Sequence, residues 1–459
     1  MTVTERSHIT KALENLGLTH PKTRVIVIGV GVTGVSVAKF LNQHDISFAI
    51  VDSREKPPGL AKLQAIIPDL PVFAGPFNPK VLAKGTHLIV SPGVSLEETV
   101  IANTLAKGAV LLSDIDIFSC CVKEPIIAIT GSNGKSTVTS MVGAMCKEAG
   151  KNVGVGGNLG IPALDLIDDL DGYVLELSSF QLERTSKLKA KSSAVLNISS
   201  DHMDRYISVD EYARQKSKVF AGSGIMILNY DDYAVMSMRL PGRRTITFGF
   251  NSGADCTVQE VDGESWLMLN KKQVMRVNDS PLVGNHNLAN ALAALAIGSS
   301  INLSVAAMVK ALQKFQGLEH RMQVVAEVNG VRWINDSKAT NIGATKAALE
   351  GFSKSVIVVV GGESKGADMS LLAPTLEKAA KMVILIGRDA QLIKPHLTNS
   401  VPVYEAGTIK KAVQFAAAQA CSGDTVLLSP ACASFDQFLD YRDRGKQFTE
   451  AVKQIGKKT

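Results

Sequence analysis

The chain lacks three features that would each mark a particular class of protein. None of its apolar runs approaches the roughly 18 residues that a membrane-spanning helix needs. Residues 1–8 contain no apolar core of a secretory leader. Its six cysteines are scattered, without Cys-x-x-Cys spacing, as in proteins that keep their cysteines reduced. We therefore expect a cytoplasmic protein that does not insert into a membrane.

Concentrated charge is absent as well. The formal net charge is +6 over 459 residues, and no run of Lys and Arg is dense enough to indicate nucleic-acid binding. A slight positive excess suits small polyanions such as nucleotides. With 46% hydrophobic and 20% charged residues, the composition is ordinary for a globular protein of about three domains.

The most informative segment is Thr-Gly-Ser-Asn-Gly-Lys-Ser-Thr at residues 130–137, directly after a short apolar run. This order predicts a strand, a phosphate-binding loop and then a helix. Glycines let backbone N–H groups face an anion, Lys135 supplies positive charge, and a following hydroxyl can bind Mg²⁺. Only two residues separate Gly131 from Gly134, where the general pattern has four. A glycine-rich turn with a surface lysine is the alternative interpretation.

Short β-branched runs alternate with helical stretches along most of the chain. Runs that resemble buried parallel strands occur at residues 24–29, 48–51, 87–90, 173–177, 194–198, 356–361, 382–387 and 424–428. Residues 243–277 and 323–334 alternate like antiparallel strands, whereas 287–297 resemble a helix. We predict an α/β protein of three doubly wound domains, with a Rossmann-like domain at 1–112, a P-loop ATPase-type domain at 113–317 and a second Rossmann-like domain at 318–459. Residues 1–22 are polar and are expected to be peripheral.

A second glycine pattern, Gly29-x-Gly31-x-x-Gly34, follows the first predicted strand, and Asp52 ends the next one. Alone, this pattern is typical of a dinucleotide-dependent dehydrogenase, or of a tight turn needed only for helix packing. We favour the pyrophosphate of a sugar nucleotide, because a dehydrogenase does not explain the downstream phosphate loop. Ser53, Arg54, Ser91 and Gly93 are further candidate contacts for that ligand, because they follow the second and third predicted strands.

The middle of the chain carries polar residues at strand ends. Glu176 lies within an apolar strand, where a carboxylate must be paired, protonated or metal-bound, and Mg²⁺ is the favoured partner. His202 follows another strand and is a candidate metal or phosphate ligand. Lys216 and Lys218 lie on the next helix, and their spacing alone indicates a solvated face. If either were buried, its neutral amine could react with CO₂ to form an anionic carbamate.

Taken together, the motifs resemble the Mur ligase family over nearly the whole chain. The resemblance rests on eight motifs in order, at residues 129–137, 155–160, 175–182, 201–206, 284–290, 319–321, 333–341 and 428–438. The two-residue spacing in the phosphate loop is the family's own. Similarity is strongest to members that join D-glutamate to UDP-N-acetylmuramoyl-L-alanine in peptidoglycan synthesis.

The resemblance implies a set of binding and catalytic roles. ATP would be held by Gly131, Ser132, Asn133, Gly134, Lys135, Ser136, Thr137, Asn287, Asn290, Arg321 and Asp336. Two Mg²⁺ ions would be held by Ser136, Glu176, His202 and a carbamate on Lys216. Groups near the reacting atoms would be Lys135, Asn158, His202, Lys216, Arg321 and Lys338. The UDP substrate would contact Thr33, Ser53 and Arg54, and the amino acid would contact Thr340, Lys365, Ser434, Phe435 and Tyr441. Phe435 and Tyr441 stand where a related ligase has Leu and Phe, and both would keep an apolar wall there.

The implied reaction has two steps. A substrate carboxylate attacks the γ-phosphate of ATP to give an acyl phosphate, and the amine of D-glutamate then displaces phosphate. We expect a monomer with small-molecule substrates, no nucleic acid and no membrane insertion. The competing hypotheses are a sibling Mur-type or folylpolyglutamate-type ligase that adds another amino acid, a dehydrogenase with an ATP-binding regulatory domain, and a non-catalytic nucleotide-binding module.

Overall fold

The computed structural model describes residues 3–158, 160–282, 284–350, 352, 354–397 and 401–456. Three β-sheets follow one another along the chain, and helices pack on each of them. We call each sheet with its helices a block: the first runs over residues 3–121, the second over 126–314 and the third over 323–456. No helix among the described residues is both long and apolar enough to cross a membrane. The mixed α/β architecture predicted from the alternating runs is confirmed.

The first sheet is parallel and has five strands in the order β3-β2-β1-β4-β5. Its strands are β1 (Val25–Ile28), β2 (Phe48–Asp52), β3 (Val72–Ala74), β4 (His87–Val90) and β5 (Val110–Leu112). The helices of this block are α1 (Val3–Asn15), α2 (Val32–Gln43), α3 (Leu60–Ile66), α4 (Pro79–Leu82), α5 (Thr99–Ala106) and α6 (Asp114–Cys121). Strand order reverses beside β1, so the loops after β1 and β4 border one crevice, as expected for a ligand site.

The prediction that residues 1–22 are peripheral is wrong. Helix α1 packs against α6, and its side chains Ile9 and Leu13 are 2% and 1% exposed. Together with Ala12 and Leu16 they recur at helical spacing, which gives an otherwise polar segment one apolar face. These four apolar residues could have been recognised in the sequence by their helical spacing, but the polar residues between them make the segment look polar throughout.

The second sheet has nine strands in the order β14-β13-β12-β11-β10-β9-β6-β8-β7. Its strands are β6 (Ile126–Thr130), β7 (Val153–Gly157), β8 (Gly172–Glu176), β9 (Ser192–Val195), β10 (Ile225–Asn229), β11 (Thr245–Phe248), β12 (Cys256–Val261), β13 (Glu264–Leu269) and β14 (Lys272–Arg276). Its helices are α7 (Lys135–Glu148), α8 (Ser179–Glu183), α9 (Val209–Ser217), α10 (Tyr233–Met236), α11 (Asn285–Ser300) and α12 (Val305–Lys314). Residues 243–277 were predicted to form antiparallel strands. Strands β12, β13 and β14 do pair in this way, but β11 is parallel to β10.

The third sheet has six strands in the order β15-β16-β20-β17-β18-β19. Its strands are β15 (Gln323–Val328), β16 (Val331–Asn335), β17 (Val356–Gly361), β18 (Ala380–Ile386), β19 (Val403–Gly407) and β20 (Thr425–Leu428). Its helices are α13 (Ile342–Leu349), α14 (Ala373–Ala379), α15 (Ile409–Gln419) and α16 (Tyr441–Gly456). The hairpin β15–β16 is antiparallel as predicted, and the remaining strands are parallel. Loops that leave the carboxyl ends of β16, β17 and β20 therefore meet at one edge.

Candidate active site

The phosphate-loop segment forms the predicted strand, loop and helix. Strand β6 ends at Thr130 and the 14-residue helix α7 starts at Lys135. Gly134 has a φ of +82°, and a Cβ there would lie 2.3 Å from Asn290 Oδ1, so only glycine fits. Lys135 Nζ donates to the carbonyl oxygens of Gly131 and Ser132, each at 2.8 Å. The lysine thus folds back over its own loop and is not a surface side chain.

The loop is braced from the neighbouring strand. The backbone N–H of Asn133 donates to Asn197 Oδ1 at 2.8 Å, and Asn197 Nδ2 donates back to the Asn133 carbonyl at 3.1 Å. Ser132 Oγ also donates to the Ser199 carbonyl at 3.1 Å. Asn197 and Ser199 follow β9, so the sheet itself holds the anion-binding loop in place. Neither residue was singled out from the sequence.

Glu176 ends strand β8 beside this loop and is 3% exposed. Its Oε1 accepts a hydrogen bond from Asn158 Nδ2 at 2.7 Å, whereas Oε2 has no hydrogen-bond partner among the described residues. Burial favours the neutral acid, but the charge of Lys135 together with the Ser136 hydroxyl and Asn158 outweighs it and holds the pKa of Glu176 below its usual value. The carboxylate is therefore ionised with one oxygen free. Leu159, within the same glycine-rich loop, lies outside the described residues.

Lys216 does not belong to a solvated face, as its spacing suggested. It lies in the last turn of α9, is 1% exposed and donates through Nζ to the Gly131 carbonyl at 2.9 Å. The amine lies 4.4 Å from the centre of the Tyr212 ring. Burial, together with the charge of Lys135, lowers the pKa of Lys216 well below its usual value. An amine of this kind is the one that can react with CO₂.

His202 is brought to the same cavity. Its backbone is left-handed with a φ of +58°, and its ring centre lies 4.8 Å from that of Phe180. Burial lowers the pKa of His202 to about 4, despite the opposing carboxylate of Asp201. The imidazole is therefore neutral at pH 7 and has a nitrogen lone pair for a metal.

These groups fit a divalent ion in part. Glu176 offers an unpartnered carboxylate oxygen and His202 a neutral nitrogen. The Ser136 hydroxyl, also predicted as a ligand, accepts a hydrogen bond from Arg321 Nη2 at 2.7 Å. In the part of the chain that the structure describes, no three His, Cys, Asp or Glu side chains are grouped closely enough to hold a metal. A Mg²⁺ ion at this position would need further oxygens, from a nucleotide phosphate or a carbamate on Lys216.

A cavity of about 300 Å³ opens on one side of the loop. Its lining includes the predicted nucleotide contacts Gly134, Thr137, Asn287, Asn290, Arg321 and Asp336. Asp336 accepts hydrogen bonds from Ser429 Oγ at 3.0 Å and from the Met322 backbone N–H at 3.2 Å. Burial raises the pKa of Asp336 to about 7. The third block thus closes one wall of the space next to the phosphate loop.

A second cavity, of about 280 Å³, lies on the other side of the loop and receives the predicted amino-acid contacts. It is lined from the third block by Lys338, Thr340, Lys365, Ser434, Phe435 and Tyr441. Lys338 Nζ lies over the face of the Tyr441 ring, 3.9 Å from the ring centre. Burial lowers the pKa of Lys338 to about 7. Phe435 is 71% exposed, so it contributes a rim and not the apolar wall expected from the sequence.

Asp201 links the second and third blocks inside this cavity. Its carboxylate forms an ion pair with Lys365 and accepts a hydrogen bond from Asn341 Nδ2 at 3.0 Å. Asn341 also exchanges side-chain hydrogen bonds with Asn133, at 3.1 and 3.3 Å. Burial raises the pKa of Asp201, but the charge and hydrogen bond of Lys365, with His202 and Asn341, together outweigh it and lower the pKa to about 2. Asp201 and Asn341 carried no predicted role, although both lie within the eight motifs.

The predicted UDP contacts lie apart from these two cavities. None of the five lines either cavity: Thr33 lies in the first turn of α2, Ser53 and Arg54 lie on the loop after β2, and Ser91 and Gly93 lie on the loop after β4. Asp52 accepts hydrogen bonds from the backbone N–H of Val30 at 2.7 Å and from Arg54 Nε and Nη2 at 2.8 and 2.6 Å. A carboxylate engaged in this way does not offer the free acceptor that a dehydrogenase presents to a nucleotide ribose.

Three family models match the chain in succession, and together they span its three sheets. They are "Mur ligase MurD-like, N-terminal domain" at residues 23–113, "Mur ligase middle domain" at 129–298 and "Mur ligase, glutamate ligase domain" at 320–432. A UDP-N-acetylmuramoylalanine–D-glutamate ligase from Methylococcus capsulatus is 48% identical over 95% of both chains. The chain belongs to the Mur ligase family. The family resemblance inferred from the motifs is confirmed.

Further relatives agree with this assignment. The UDP-N-acetylmuramoylalanine–D-glutamate ligase of Nitrosococcus oceani is 48% identical over 94% of this chain and 96% of its own. Among solved structures, a pseudomurein peptide ligase type C from Methanothermus fervidus aligns with a TM-score of 0.63 at 20% identity, over 94% and 100% of the two chains. The MurC ligase of Thermotoga maritima aligns at 0.61 and 19% identity, over 94% and 99%. These structural likenesses establish the Mur ligase fold.

Proposed function

We propose that this enzyme uses ATP to join D-glutamate to UDP-N-acetylmuramoyl-L-alanine in the synthesis of peptidoglycan precursors. Relatives named UDP-N-acetylmuramoylalanine–D-glutamate ligase are 42–48% identical over most of the chain. The observation that carries the mechanism is the cavity of about 280 Å³, where Lys135 of the phosphate loop and Lys365 of the third block face the same space. A phosphate donor and an anionic amino acid can meet there.

The first step is the attack of the alanyl carboxylate on the γ-phosphate of ATP, with ADP leaving. Two anions repel one another strongly in a poorly solvated cavity, so the site must supply positive charge before they can approach. Lys135, Arg321 and Lys338 line the space where the phosphates would lie. Asn158, which donates a hydrogen bond to Glu176, would contact the muramoyl substrate near the reacting carboxylate.

Ser136, Glu176, His202 and a carbamate on Lys216 would hold two Mg²⁺ ions, which supply further neutralisation of phosphate charge when bound. Two properties of these residues support this assignment. Glu176 keeps one carboxylate oxygen unpartnered, and burial keeps the His202 imidazole neutral. Asn287, Asn290 and Asp336 would hold the adenosine in the adjacent cavity of about 300 Å³.

In the second step the amine of D-glutamate attacks the acyl carbon, and phosphate leaves. Thr340 and Lys365 would take the α-carboxylate, and Ser434 the side-chain carboxylate, with Phe435 and Tyr441 beside them. Without substrate, Lys365 is paired with the Asp201 carboxylate. The incoming amino acid would therefore exchange one carboxylate partner of Lys365 for another, which limits the desolvation cost of binding.

The UDP substrate would enter from the first block, with Thr33, Ser53 and Arg54 at the diphosphate and uracil. The loop that carries Ser91 and Gly93 is fixed to the second block, because Arg184 Nη1 donates to the Ser91 carbonyl at 2.9 Å. We place the reaction in the cytoplasm, since it consumes ATP, and propose a monomer, since one chain supplies every group that the mechanism needs.

A phosphate-release assay tests this function. Enzyme, ATP, Mg²⁺ and UDP-N-acetylmuramoyl-L-alanine are combined with D-glutamate, L-glutamate, L-lysine or meso-diaminopimelate in parallel. Release with D-glutamate alone is expected. Release with a different amino acid would instead identify a sibling ligase, and absence of release with all four would contradict the ligase function.

Replacing Lys365 with alanine is expected to raise the KM for D-glutamate about 10- to 100-fold, the range for losing a hydrogen bond to a charged group. The KM for ATP should change by less than about threefold, because the amino acid is the one substrate that Lys365 would contact. Steady-state kinetics with each substrate varied in turn measures both constants.

Lys381→Ala is the matched control for this variant. Lys381 forms an ion pair with Asp424 at 2.5 Å in the same block, away from both cavities. It should leave both KM values unchanged. Equal increases in the two KM values of Lys365→Ala would contradict the amino-acid assignment.

A further inference from the structure

Arg444 is a buried cation that the proposed mechanism does not use. It lies on α16, is 0% exposed and forms no ion pair with a carboxylate of the described residues. Burial lowers the pKa of Arg444 to about 10, which leaves it charged at neutral pH. The Asp436 and Asp336 carboxylates raise this pKa without forming an ion pair with the guanidinium, so hydrogen bonds to fixed dipoles must compensate for the lost water.

The compensating hydrogen bonds all go to two segments of the active site. Arg444 Nε donates to Ser337 Oγ at 3.0 Å and Nη2 donates to the Ser337 carbonyl at 2.7 Å. Nη1 donates to the carbonyls of Cys432 and Ala433 at 3.1 and 3.3 Å. One planar guanidinium therefore joins the loop after β16 to the loop after β20.

Each of these acceptors adjoins a residue that faces the cavity. Ser337 precedes Lys338, and Ala433 precedes Ser434. Ser337 Oγ also donates to the Tyr441 carbonyl at 2.8 Å, which extends the network to the start of α16. Two of the residues that accept hydrogen bonds from the guanidinium are therefore the direct chain neighbours of Lys338, which faces the phosphates, and of Ser434, the proposed contact for the substrate side chain.

The same network reaches the loop after β17. Ala433 and Glu363 pair as an isolated bridge, with backbone hydrogen bonds of 2.8 and 3.0 Å, and Lys365 lies two residues further on. A shift of Ala433 would therefore be passed to the segment that leads to the proposed α-carboxylate contact.

We propose that Arg444 is a positioning residue that sets the spacing between Lys338, Ser434 and Lys365, and so determines how well the amino acid is captured. The inference rests on the proposed function. Its basis is that the three nitrogens of one rigid guanidinium make four hydrogen bonds to backbone and hydroxyl acceptors on both loops. Lysine cannot reproduce this geometry, because its single ammonium is a point donor on a flexible stem.

The test compares Arg444→Met and Arg444→Lys with wild type in the phosphate-release assay. Both variants are expected to raise the KM for D-glutamate about tenfold and to change the KM for ATP by less than about twofold. Arg444→Ala with millimolar guanidinium chloride should recover part of the affinity for D-glutamate. If the methionine variant fails to fold, the lysine variant decides.

Arg243→Met is the matched control. Arg243 also donates to backbone carbonyls, of Gly224 at 2.6 Å and Phe220 at 2.5 Å, but it lies in the second block away from both cavities. It should leave both KM values unchanged. A lower melting temperature and kcat with an unchanged KM for D-glutamate would show a merely structural role for Arg444 and overturn the inference. Wild type without D-glutamate-dependent release would overturn the proposed function, and this inference with it.

Discussion

Replacing Lys135 with alanine is expected to lower phosphate release about a thousandfold or more, the scale for removing a cation that stabilises a transferring phosphoryl group. The amine is already folded over the loop, with hydrogen bonds of 2.8 Å to the carbonyls of Gly131 and Ser132. It can exchange these neutral acceptors for phosphate oxygens without moving far. The loss should appear mainly in kcat, because the charge matters most as the phosphoryl group transfers.

Lys147→Ala serves as its control, since this lysine lies in the last turn of the same helix and lines neither cavity. Kinetics and thermal unfolding of both variants are compared with wild type. We expect similar melting temperatures for all three proteins and a kinetic defect in Lys135→Ala alone. Substantial turnover by folded Lys135→Ala would rule out the phosphate-loop mechanism.

The parts of the site that depend on local sequence were predictable. A strand, two glycines with positive φ and a lysine at the start of a helix form a unit within ten residues, so the motif specifies its own geometry. The acidic end of β8 was predictable for a related reason. A carboxylate in an otherwise apolar strand requires a specific partner, and the structure gives Glu176 one in Asn158, which the sequence did not indicate; Mg²⁺, the favoured partner, stays a prediction.

Properties that depend on packing between distant segments were not predictable from spacing. Lys216 and Lys218 are two residues apart, yet Lys216 is buried against the phosphate loop while Lys218 donates to the Glu183 carbonyl at 2.6 Å. The pair of Asp201 and Lys365 joins residues 164 apart in sequence. Only the way the second and third blocks pack brings these two charges together.

The role of Arg444 shows the same limit. In an amphipathic helix rich in charged residues, an arginine is expected to face solvent. Its burial follows from where α16 crosses the two loops, which no local pattern encodes. Family motifs identify the groups that would touch substrate more readily than the groups that hold them in position.

Replacing Lys216 with alanine is expected to lower activity about a hundredfold or more, since losing even an indirect partner of a metal costs about 10- to 100-fold. Burial disfavours the ammonium form, so at neutral pH a much larger fraction of this amine is neutral than for an exposed lysine. A neutral amine and CO₂ combine to give a carbamate and release one proton. The product places an anion with two oxygens beside the phosphate loop, where the neutral amine was.

Two measurements together test this. Wild-type activity should fall when CO₂ and bicarbonate are removed and recover when bicarbonate is added back, whereas the residual activity of Lys216→Ala should not respond. Independently of turnover, ¹³C-labelled bicarbonate should give a carbamate resonance in wild type that is missing from Lys216→Ala. Lys218→Ala, which removes a neighbouring lysine that lines neither cavity, should keep both the resonance and the response.

The outcomes separate the two roles that Lys216 could have. Its hydrogen bond to the Gly131 carbonyl at 2.9 Å would also brace the phosphate loop if the amine stayed unmodified. In that case Lys216→Ala would lose activity, but wild type would show neither the resonance nor a response to CO₂. The carbamate interpretation is favoured because Glu176 leaves an oxygen free, no described cluster of three side chains can hold a metal, and the missing oxygens would come from this position.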